Sequence, residues 1–592
     1  SPHRAELELE TYGREWVTHN FRPEFQPISL PYFLFSDAFG LYSNMYRAIL
    51  GVYAILAFFP REVRDSRAGI LPITLGPFGS TQADIFESLF HLQELDKGAH
   101  IKINGLSRFI CAFSLAFVGD TPQQQKMSGC RSHNAGKPCR FCHISNTDRS
   151  DLGFDIQVNG RYHFDTLAER DSGLEGRAKE AHFKGLGLST KTRLINALTN
   201  FTPALDILRT RPVDVAHSEF SGLAMLTWTL LRDEILLPDA FDHLSSSLRS
   251  FPFPPGWGRL QNPKSHMGSW SISEAARASI IAPTFLRTWL EDKHVRPRFA
   301  RNITSYSEEF FGRTHHTSPT SLLILAFWKV ASSSLILGRR QGPLLEESVL
   351  SSTIMAGRKA IQLLLRCAIG RDVDGDVPGQ RRNRKSQAQD DKMKKYQRWA
   401  GLANIHLGLH LPELVQEFGL ARFTNTLLGE DKHREYKLEI KSTNHRNAAI
   451  ALLMRENVKL TINLIMDGCF EKSHPHIHKI FAEVRKRCPA LANMVHAGKP
   501  YTDLDDEDCA AEKFRCDDYH RQVVALQKVK ASVVAARTDP MLRETRPSEL
   551  RRDNPFATEL DIAYTEEYDI DNIQSFGKGW IKWFKRVVFS NG

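Results

Sequence analysis

The sequence predicts a fold that combines an α/β core with an all-α region. Between residues 31 and 120, stretches rich in aromatic and β-branched residues alternate with short turns, which is typical of strands. Between about residues 220 and 370, apolar residues instead recur at helical spacing, as in SLLILAFWKVASSSLIL. A chain of 592 residues is too long for one simple core, so we expect two or three lobes.

Composition and charge narrow the class of protein. Hydrophobic residues make up 42% of the chain and charged residues 25%, and no apolar run reaches the roughly 18 residues of a membrane span. We therefore expect a soluble chain without a membrane partner. The nine cysteines are scattered, which argues against a disulfide framework and favours a reducing compartment. The net charge of +10 favours a polyanionic partner, with nucleic acid as the leading class.

The first part of the chain predicts three strands, a helix and a fourth strand, in that order. The strands are PYFLFSDAFGLY, MYRAILGVYAILAFF, GILPITLG and, after the helix ADIFESLFHLQELDKG, FICAFSLAFVGD. Asp37 is expected at the tip of the first strand and Asp120 at the tip of the fourth. This order of elements, with acids in those two places, is that of a ribonuclease H-like mixed sheet, interrupted here by a large helical insertion and followed by a helical C-terminal region.

Asp37 and Asp120 would meet in such a sheet, because its neighbouring central strands bring their ends together. Two carboxylates there can hold two Mg²⁺ (or Mn²⁺) ions about 3.5–4 Å apart, the arrangement used in phosphodiester chemistry. A third carboxylate from a later helix would complete the site. The alternative for both residues is a turn aspartate, since Asp is common in turns.

Several ordered blocks carry a resemblance to a known family. They are SDAFG at 36–40, GDTP, SGC and CRFC within 119–142, DVAHSE at 214–219, HLGLHLPE at 406–413 and GEDKHREYK at 429–437. In this order the blocks resemble the CACTA (En/Spm) cut-and-paste DNA transposases and their fungal relatives, which belong to the DDE/D transposase group. The resemblance runs from about residue 30 to residue 460.

The resemblance implies an acidic triad of Asp37, Asp120 and Glu430. The family usually has Glu-Arg in the last block, whereas this chain has Glu430 followed by Asp. Glu219 is the runner-up for the third acid. Asp214 and His217, just before it, are supporting candidates that either orient the site or make an ordinary structural hydrogen bond.

The pair Cys139 and Cys142 has the spacing of metal ligands, although two buried thiols or a redox pair would show the same spacing. Among related DDE recombinases, the V(D)J recombinase is similar in having a Cys-x-x-Cys nineteen residues after a catalytic Asp, and a His pair about twenty residues before its catalytic Glu. Both intervals recur in this chain. The resemblance therefore implies a structural zinc ion held by these cysteines with His406 and His410; the alternative is a pair of ordinary buried histidines. With four protein ligands, such a zinc braces the fold and takes no part in the chemistry.

Changes in composition and in the spacing of apolar residues along the chain predict six segments. The opening residues contain no apolar core of signal-peptide type, and the chain begins without Met, which leaves open a further N-terminal module. The predicted segments are an N-terminal segment at 1–30, the first part of the catalytic core at 31–220, a helical insertion at 221–370, a charged linker at 371–398, the last part of the core at 399–490 and a partly disordered tail at 491–592.

The charged linker contains a basic run, RRNRK, at 381–385. It fits contacts with DNA phosphates or a nuclear import signal, and a merely solvated face is the alternative. The residues that we nominate for nucleic-acid binding are Arg381, Arg382, Arg384 and Lys385.

The resemblance implies a nuclear transposase that binds double-stranded DNA at transposon ends and at the target, nicks it and joins the freed 3′-OH to target DNA. Pairing of two ends implies a homodimer or a higher oligomer. Two alternatives stay open: a catalytically inactive or domesticated transposase-derived protein that only binds DNA or other proteins, and a structure-selective nuclease of the same fold.

Overall fold

The computed structural model describes residues 26–487 with gaps, and four short strands beyond them. The gaps are residues 41–47, 60–63, 65–68, 104, 202–204, 249–250, 252, 254–256, 313–317, 340–341, 370–393, 397, 443–446, 467–468 and 471. The chain divides into one unit up to residue 516 and a second unit from 517 to 592.

A five-stranded mixed sheet organises the first unit. Its strands lie in the order β3-β2-β1-β5-β4. The pairs β1–β2, β2–β3 and β4–β5 are antiparallel, whereas β5 runs parallel to β1. The strands are β1 (Gln26–Gly40), β2 (Ala48–Leu56), β3 (Ile70–Gly76), β4 (Ala99–Ile103) and β5 (Leu106–Val118).

Alternation along β1 gives the sheet two buried faces. Successive side chains of a strand point to opposite faces, so Phe33, Phe35 and Phe39 share one face while Tyr32 and Leu34 share the other. The three phenylalanines pack in one apolar cluster, and Tyr32 and Leu34 pack in a different one. Asp37 therefore belongs to the phenylalanine face of β1.

The strands expected from the sequence are present, with one addition and one shift. The sequence did not predict β4, a five-residue edge strand whose residues are all exposed and therefore show no buried alternation. Asp37 does not lie at a strand tip as expected: β1 continues to Gly40, and Asp37 pairs with Gly51 of β2. Asp120 does lie just beyond the end of β5, as expected.

Helices surround and follow this sheet. Those up to residue 201 are α1 (Gln82–Ser88), α2 (Gln93–Lys97), α3 (Thr121–Met127), α4 (His163–Arg170), α5 (Gly176–Leu186) and α6 (Arg193–Phe201). The mainly helical region that the sequence predicts comprises a π-helix (Ala216–Ala224), α7 (Met225–Leu230), a second π-helix (Leu231–Ile235), α8 (Pro238–Ser247), α9 (Pro263–His266), α10 (Ile272–Trp289), α11 (Pro297–Phe311), α12 (Pro319–Leu337) and α13 (Glu347–Ile369). Those that follow are α14 (Ala403–Leu407), α15 (Leu411–Phe418), α16 (Leu427–Glu439), α17 (Ala448–Met466) and α18 (Pro475–Arg487).

Helix α12 is long and apolar enough to cross a membrane by length and composition alone, the one such helix among the described residues. More than half of its most apolar window is buried within the protein. It packs against α10, α11 and α13. Its apolar composition is thus accounted for by a position in the core of the helical region.

The second unit contains two short antiparallel pairs, β6 with β9 and β7 with β8. Their bounds are β6 (Val534–Ala535), β7 (Met541–Thr545), β8 (Ile581–Phe584) and β9 (Val587–Val588). The sequence predicted a partly disordered tail for residues 491–592, and most of these residues lie outside the described part of the chain.

Candidate functional site

Asp37 and Asp120 come from adjacent parallel strands. In the register of β1 and β5, Phe35 is paired with Val118, and each acid follows two residues after its member of the pair. Neighbouring strands lie about 4.8 Å apart, so Asp37 within β1 and Asp120 just beyond the end of β5 lie side by side. Backbone N–H groups hold both carboxylates: Ala38 N donates to Asp37 (2.8 Å), and Gln123 N donates to Asp120, which caps α3 (2.8 Å).

Glu430 reaches the same face of the sheet because α16 packs closely on β1. Gly429 permits the contact: a Cβ atom at this position would lie only 2.5 Å from Cζ of Phe35. One turn further along α16, the ring of His433 stacks on that of Phe39 with centroids 3.9 Å apart. Since Glu430 lies in the first turn of α16, the helix delivers its carboxylate to the Asp37 side of the sheet.

Asp214, His217 and Thr426 tie Glu430 into a hydrogen-bonded network. His217 Nδ1 lies 2.5 Å from Asp214 Oδ2, and His217 Nε2 lies 3.5 Å from Glu430 Oε1. The Thr426 hydroxyl lies 3.1 Å from Asp214 Oδ2 and 3.0 Å from Glu430 Oε1. The backbone N–H of Thr426 also donates to Asp214 Oδ1 (3.3 Å). Asp214 is fully buried and contacts His217 and Thr426 directly. These two residues in turn contact Glu430.

The electrostatics of the site link all five candidates. Burial, with the charges of Asp120 and Asp214 nearby, raises the pKa of Asp37 to about 6. Burial also raises the pKa of Glu430 to about 7, assisted by Asp214 and Asp37. Burial alone would lower the pKa of His217, but the hydrogen bond to Asp214 and the charges of Asp214, Glu430 and Asp120 raise it to about 9. Within the acid cluster (Asp37, Asp120, Asp214 and Glu430), burial and neighbouring charges therefore favour the protonated forms of Asp37 and Glu430.

The acid cluster does not form a tight single-ion cage. Among the described residues, the sets of three or more ligand atoms that all lie within 4.8 Å of one another do not include Asp37, Asp120 and Glu430 together. Three glutamates, Glu435, Glu439 and Glu456, do form such a set, but the Lys459 ammonium group already pairs with all of them.

Glu219, the runner-up for the third acid, has a different environment. Its side chain is 3% exposed and forms a two-pronged ion pair with Arg358, whose Nη1 lies 2.9 Å from Glu219 Oε2. Among the described contacts, none joins Glu219 to Asp37, Asp120 or Glu430. The geometry therefore favours Glu430 over Glu219 as the third acid.

Cys139, Cys142, His406 and His410 converge in a buried cluster that could hold a zinc ion. Cys139 Sγ lies 3.5 Å from His410 Nε2, Cys142 Sγ lies 3.2 Å from His406 Nε2, and the two Nε2 atoms are 3.3 Å apart. Tetrahedral zinc with bonds of about 2.3 Å to sulfur and 2.0–2.1 Å to nitrogen requires ligand separations of about 3.3–3.8 Å. The three separations above, 3.2–3.5 Å, lie in or near this range, and all four ligand atoms lie within 4.8 Å of one another. This convergence favours the ligand interpretation over isolated thiols and histidines.

Neighbouring groups hold the two cysteines of this candidate zinc centre in place. The Arg161 Nε–H donates to the carbonyl oxygens of both Cys139 (2.9 Å) and Cys142 (3.0 Å). Burial raises the pKa of the Cys139 thiol, but the hydrogen bond with Cys142 and the charges of the two histidines prevail and lower it well below the usual value. Burial lowers the pKa of His410. The thiolate form of Cys139 and the neutral form of His410, which these shifts favour, are the forms that zinc binds.

The zinc centre lies in a core shared by four parts of the chain. Its apolar cluster contains Phe141 from the cysteine loop, Val213 next to Asp214, Ile354 from α13 and Leu411 from α15. The loop that follows Asp120 and the segment that precedes Glu430 therefore meet at the candidate zinc ligands. The role expected from the sequence, a brace between two acid-bearing segments, fits this placement.

The remaining sequence candidates lie elsewhere. Arg381, Arg382, Arg384 and Lys385 fall outside the described residues. Thr426 is a site residue that the sequence analysis missed. A lone Thr before a helix has no distinguishing signal, and its role becomes visible only when Asp214, more than two hundred residues away in sequence, is seen to contact it.

Comparison of the chain with models of known protein families gives no match, and comparison with characterised proteins gives none either.

Proposed function

We propose that the protein is a DDE-type DNA transposase that cleaves DNA strands at transposon ends and transfers them to a target. The observation that carries this proposal is the approach of Asp37, Asp120 and Glu430 to one face of the sheet, from β1, from the end of β5 and from α16. The ordered sequence blocks give the same three residues independently.

The proposed reaction calls for two metal ions at these acids. Two Mg²⁺ or Mn²⁺ ions about 3.5–4 Å apart, each with oxygen ligands at about 2.1 Å, can be bridged by carboxylates whose oxygens lie as far as roughly 8 Å apart. A set of acids wider than a single-ion cage is consistent with that requirement. The raised pKa values of Asp37 and Glu430 express the repulsion and desolvation that bound cations would relieve.

The sheet topology supports a ribonuclease H-like core. Three antiparallel strands, β1 to β3, are followed along the chain by β5, which lies parallel to β1 on its other side. This is the order in which the sequence places the first two acids. The edge beyond β5 is occupied by the antiparallel strand β4, so the hairpin β4–β5 is an elaboration that the expected arrangement does not include.

The site residues have separate roles in the proposed reaction. Asp37, Asp120 and Glu430 would hold the metal ions, which when bound activate the attacking oxygen and stabilise the leaving oxygen. Thr426 orients Glu430, and Asp214 orients His217 beside it. The first reaction forms a bond from water oxygen to phosphorus and releases a 3′-OH; the second forms a bond from that 3′-oxygen to a target phosphorus and releases a target 3′-OH. Positioning of these groups dominates phosphoryl-transfer catalysis.

The partner that follows from this activity is double-stranded DNA, which fits the net charge of +10. Pairing of two DNA ends calls for a homodimer or higher oligomer, and action on chromosomal DNA calls for a nuclear location. The basic run at 381–385 serves either phosphate contacts or import in this proposal.

The proposal is tested on a supercoiled plasmid that carries the DNA flanking the coding sequence. With Mg²⁺ or Mn²⁺, the protein should nick this plasmid and also join an oligonucleotide with a free 3′-OH to it. Asp37→Asn, Asp120→Asn and Glu430→Gln should each reduce nicking on the order of 10²-fold or more. Asp84→Asn is the matched control, because Asp84 is an exposed acid of the capping box of α1.

The other outcomes separate the alternatives. A folded protein that binds DNA but neither nicks nor joins it is a transposase-derived binding protein. Nicking without joining identifies a nuclease. Nicking that persists in Asp37→Asn and Asp120→Asn contradicts the proposed site, and loss in Glu219→Gln but not in Glu430→Gln would reassign the third acid.

A further inference from the structure

A buried arginine of the helical region, Arg358 in α13, joins two segments that carry site residues. Its side chain is 1% exposed. One edge of its guanidinium group forms the ion pair with Glu219, and its Nε–H donates to the carbonyl oxygen of Ile405 (3.2 Å). The three groups come from positions 219, 358 and 405, so this single side chain connects three distant parts of the sequence.

Through its ion pair with Glu219, Arg358 is linked to the segment that carries residues of the acid cluster. Glu219 lies in the π-helix Ala216–Ala224, whose first turn contains His217. That helix starts from Asp214, whose carbonyl oxygen accepts hydrogen bonds from Ser218 N (3.1 Å) and Ser218 Oγ (2.7 Å). A π-helix is rare and is frequently found at functional sites. Arg358 therefore holds the segment that presents Asp214 and His217 to Glu430.

Through its hydrogen bond to Ile405, Arg358 is linked to the candidate zinc centre. Ile405 immediately precedes the candidate ligand His406, and the guanidinium group lies over the turn between the two histidines. A Cβ atom at Gly408 would be 2.5 Å from Arg358 Nε and 3.0 Å from its Cζ, so only glycine leaves room for the guanidinium group here. The turn that carries both histidines is thus shaped around Arg358.

We propose that Arg358 is a positioning residue that sets the geometry of the zinc-binding histidines and of the Asp214–His217 segment together. The inference about zinc is independent of the proposed transposase activity; only its effect on DNA cleavage rests on that proposal. Through Arg358, the helical region becomes part of the support of the site.

A buried ion pair between Glu219 and Arg358 does not by itself require the contact between Arg358 and Ile405. Pairs of this kind are often replaceable without loss of stability, because the cost of desolvating both charges offsets their attraction. The bond from Nε to Ile405 is the part of the arrangement that an ion pair does not need. The informative variants therefore keep a positive charge near Glu219 and disturb the contact with the histidine turn.

Two variants meet this condition. Arg358→Lys keeps the charge, but an ammonium group lacks the fork that spans Glu219 and Ile405. Gly408→Ala keeps Arg358 and pushes its guanidinium group off the turn. The matched controls are Gly357→Ala, where a Cβ atom would meet Ser333 within α12, and Arg277→Lys, which alters a buried arginine of α10 that bonds the carbonyl oxygen of Ser273.

The measurements are zinc release to a competing chromophoric chelator and amide hydrogen exchange of residues 403–410 and 214–224, both on the full chain. We expect Arg358→Lys and Gly408→Ala to release zinc about tenfold faster and to exchange faster in both segments. The controls should lower the urea midpoint without changing zinc release.

Unchanged zinc release in both variants would overturn the inference, as would equal acceleration in the two controls, since that would reflect general loosening. Loss of DNA nicking is scored separately. Faster zinc release in a protein that never nicks DNA would support the positioning role and contradict the proposed function, so the two failures are distinguishable.

Discussion

Replacing Asp37 by Asn should stabilise the protein at pH 8 when divalent ions other than zinc are absent. Burial raises the pKa of Asp37 in the folded protein to about 6, from 3.8. The folded state therefore binds a proton more tightly than the unfolded state does. Stability must then fall as pH rises from about 4 to about 6, because the unfolded chain releases the proton more easily in that window.

The magnitude follows from the size of the shift. One pKa unit corresponds to about 1.36 kcal/mol, so a shift of about two units bounds the penalty of ionised Asp37 at about 3 kcal/mol. Asp37 is partly exposed, and solvent screening reduces this bound. We expect Asp37→Asn to gain about 1–2 kcal/mol at pH 8 and almost nothing at pH 4.

The assay is urea unfolding followed by tryptophan fluorescence between pH 4 and pH 8, in buffer freed of divalent ions by a resin, with zinc content checked after each run. Adding Mg²⁺ or Mn²⁺ should stabilise the wild type at pH 8 and leave Asp37→Asn nearly unchanged. Asp84→Asn is an instructive control, because hydrogen bonds from Thr81 lower the pKa of Asp84. That variant should lose stability at pH 8.

The reasoning is refuted if Asp37→Asn is less stable than the wild type at pH 8 without divalent ions, or if its stability changes with pH as the wild type's does. Either result would mean that the carboxylate is stabilised in the fold by contacts that the structure does not contain, and that no cation is needed there.

Three further perturbations test other parts of the site. Gly429→Ala should lower the free energy of unfolding in urea by about 1–3 kcal/mol, because its Cβ atom would overlap the Phe35 ring. It should also slow nicking, because the overlap would move Glu430. An unchanged urea midpoint would contradict the packing of α16 on β1. Cys142→Ser should reduce bound zinc, measured by elemental analysis, from about one ion per chain to near none; retention of zinc would exclude the Cys2His2 centre. Thr426→Val should destabilise by about 1–3 kcal/mol, because it removes the hydroxyl that lies within hydrogen-bond distance of both Asp214 and Glu430 and donates to one of them at a time. It should lower the nicking rate more than Thr426→Ser does; equal rates would remove Thr426 from the positioning role.

The sequence predicted those parts of the site whose signal is local or repeats at a fixed interval. Aromatic residues mark β1, and the spacing of Cys139 and Cys142 is that of metal ligands. The structure brings Cys139 and His410 together, as the resemblance to related recombinases implied.

Features that depend on contacts between distant segments could not be predicted. Nothing in the sequence pairs Glu219 with Arg358, so Glu219 remained a candidate acid until its partner was seen. Gly429 looks like any helix-start glycine until the Phe35 ring is found against it. The edge strand β4 is short and exposed, and therefore lacks the buried alternation by which strands are recognised.

A zinc ion at the candidate centre would explain how a long helical region can be accommodated between the acids. Cys142 and His406 are 264 residues apart, and the helical region lies between them. A zinc ion bound by these residues would close this loop in the folded protein, and its binding free energy would add to that of folding. The cross-link lies at the base of that loop, beside both acid-bearing segments. Helices within the loop can therefore differ in length or contacts without separating Asp120 from Glu430, except where a side chain such as Arg358 reaches back to the base.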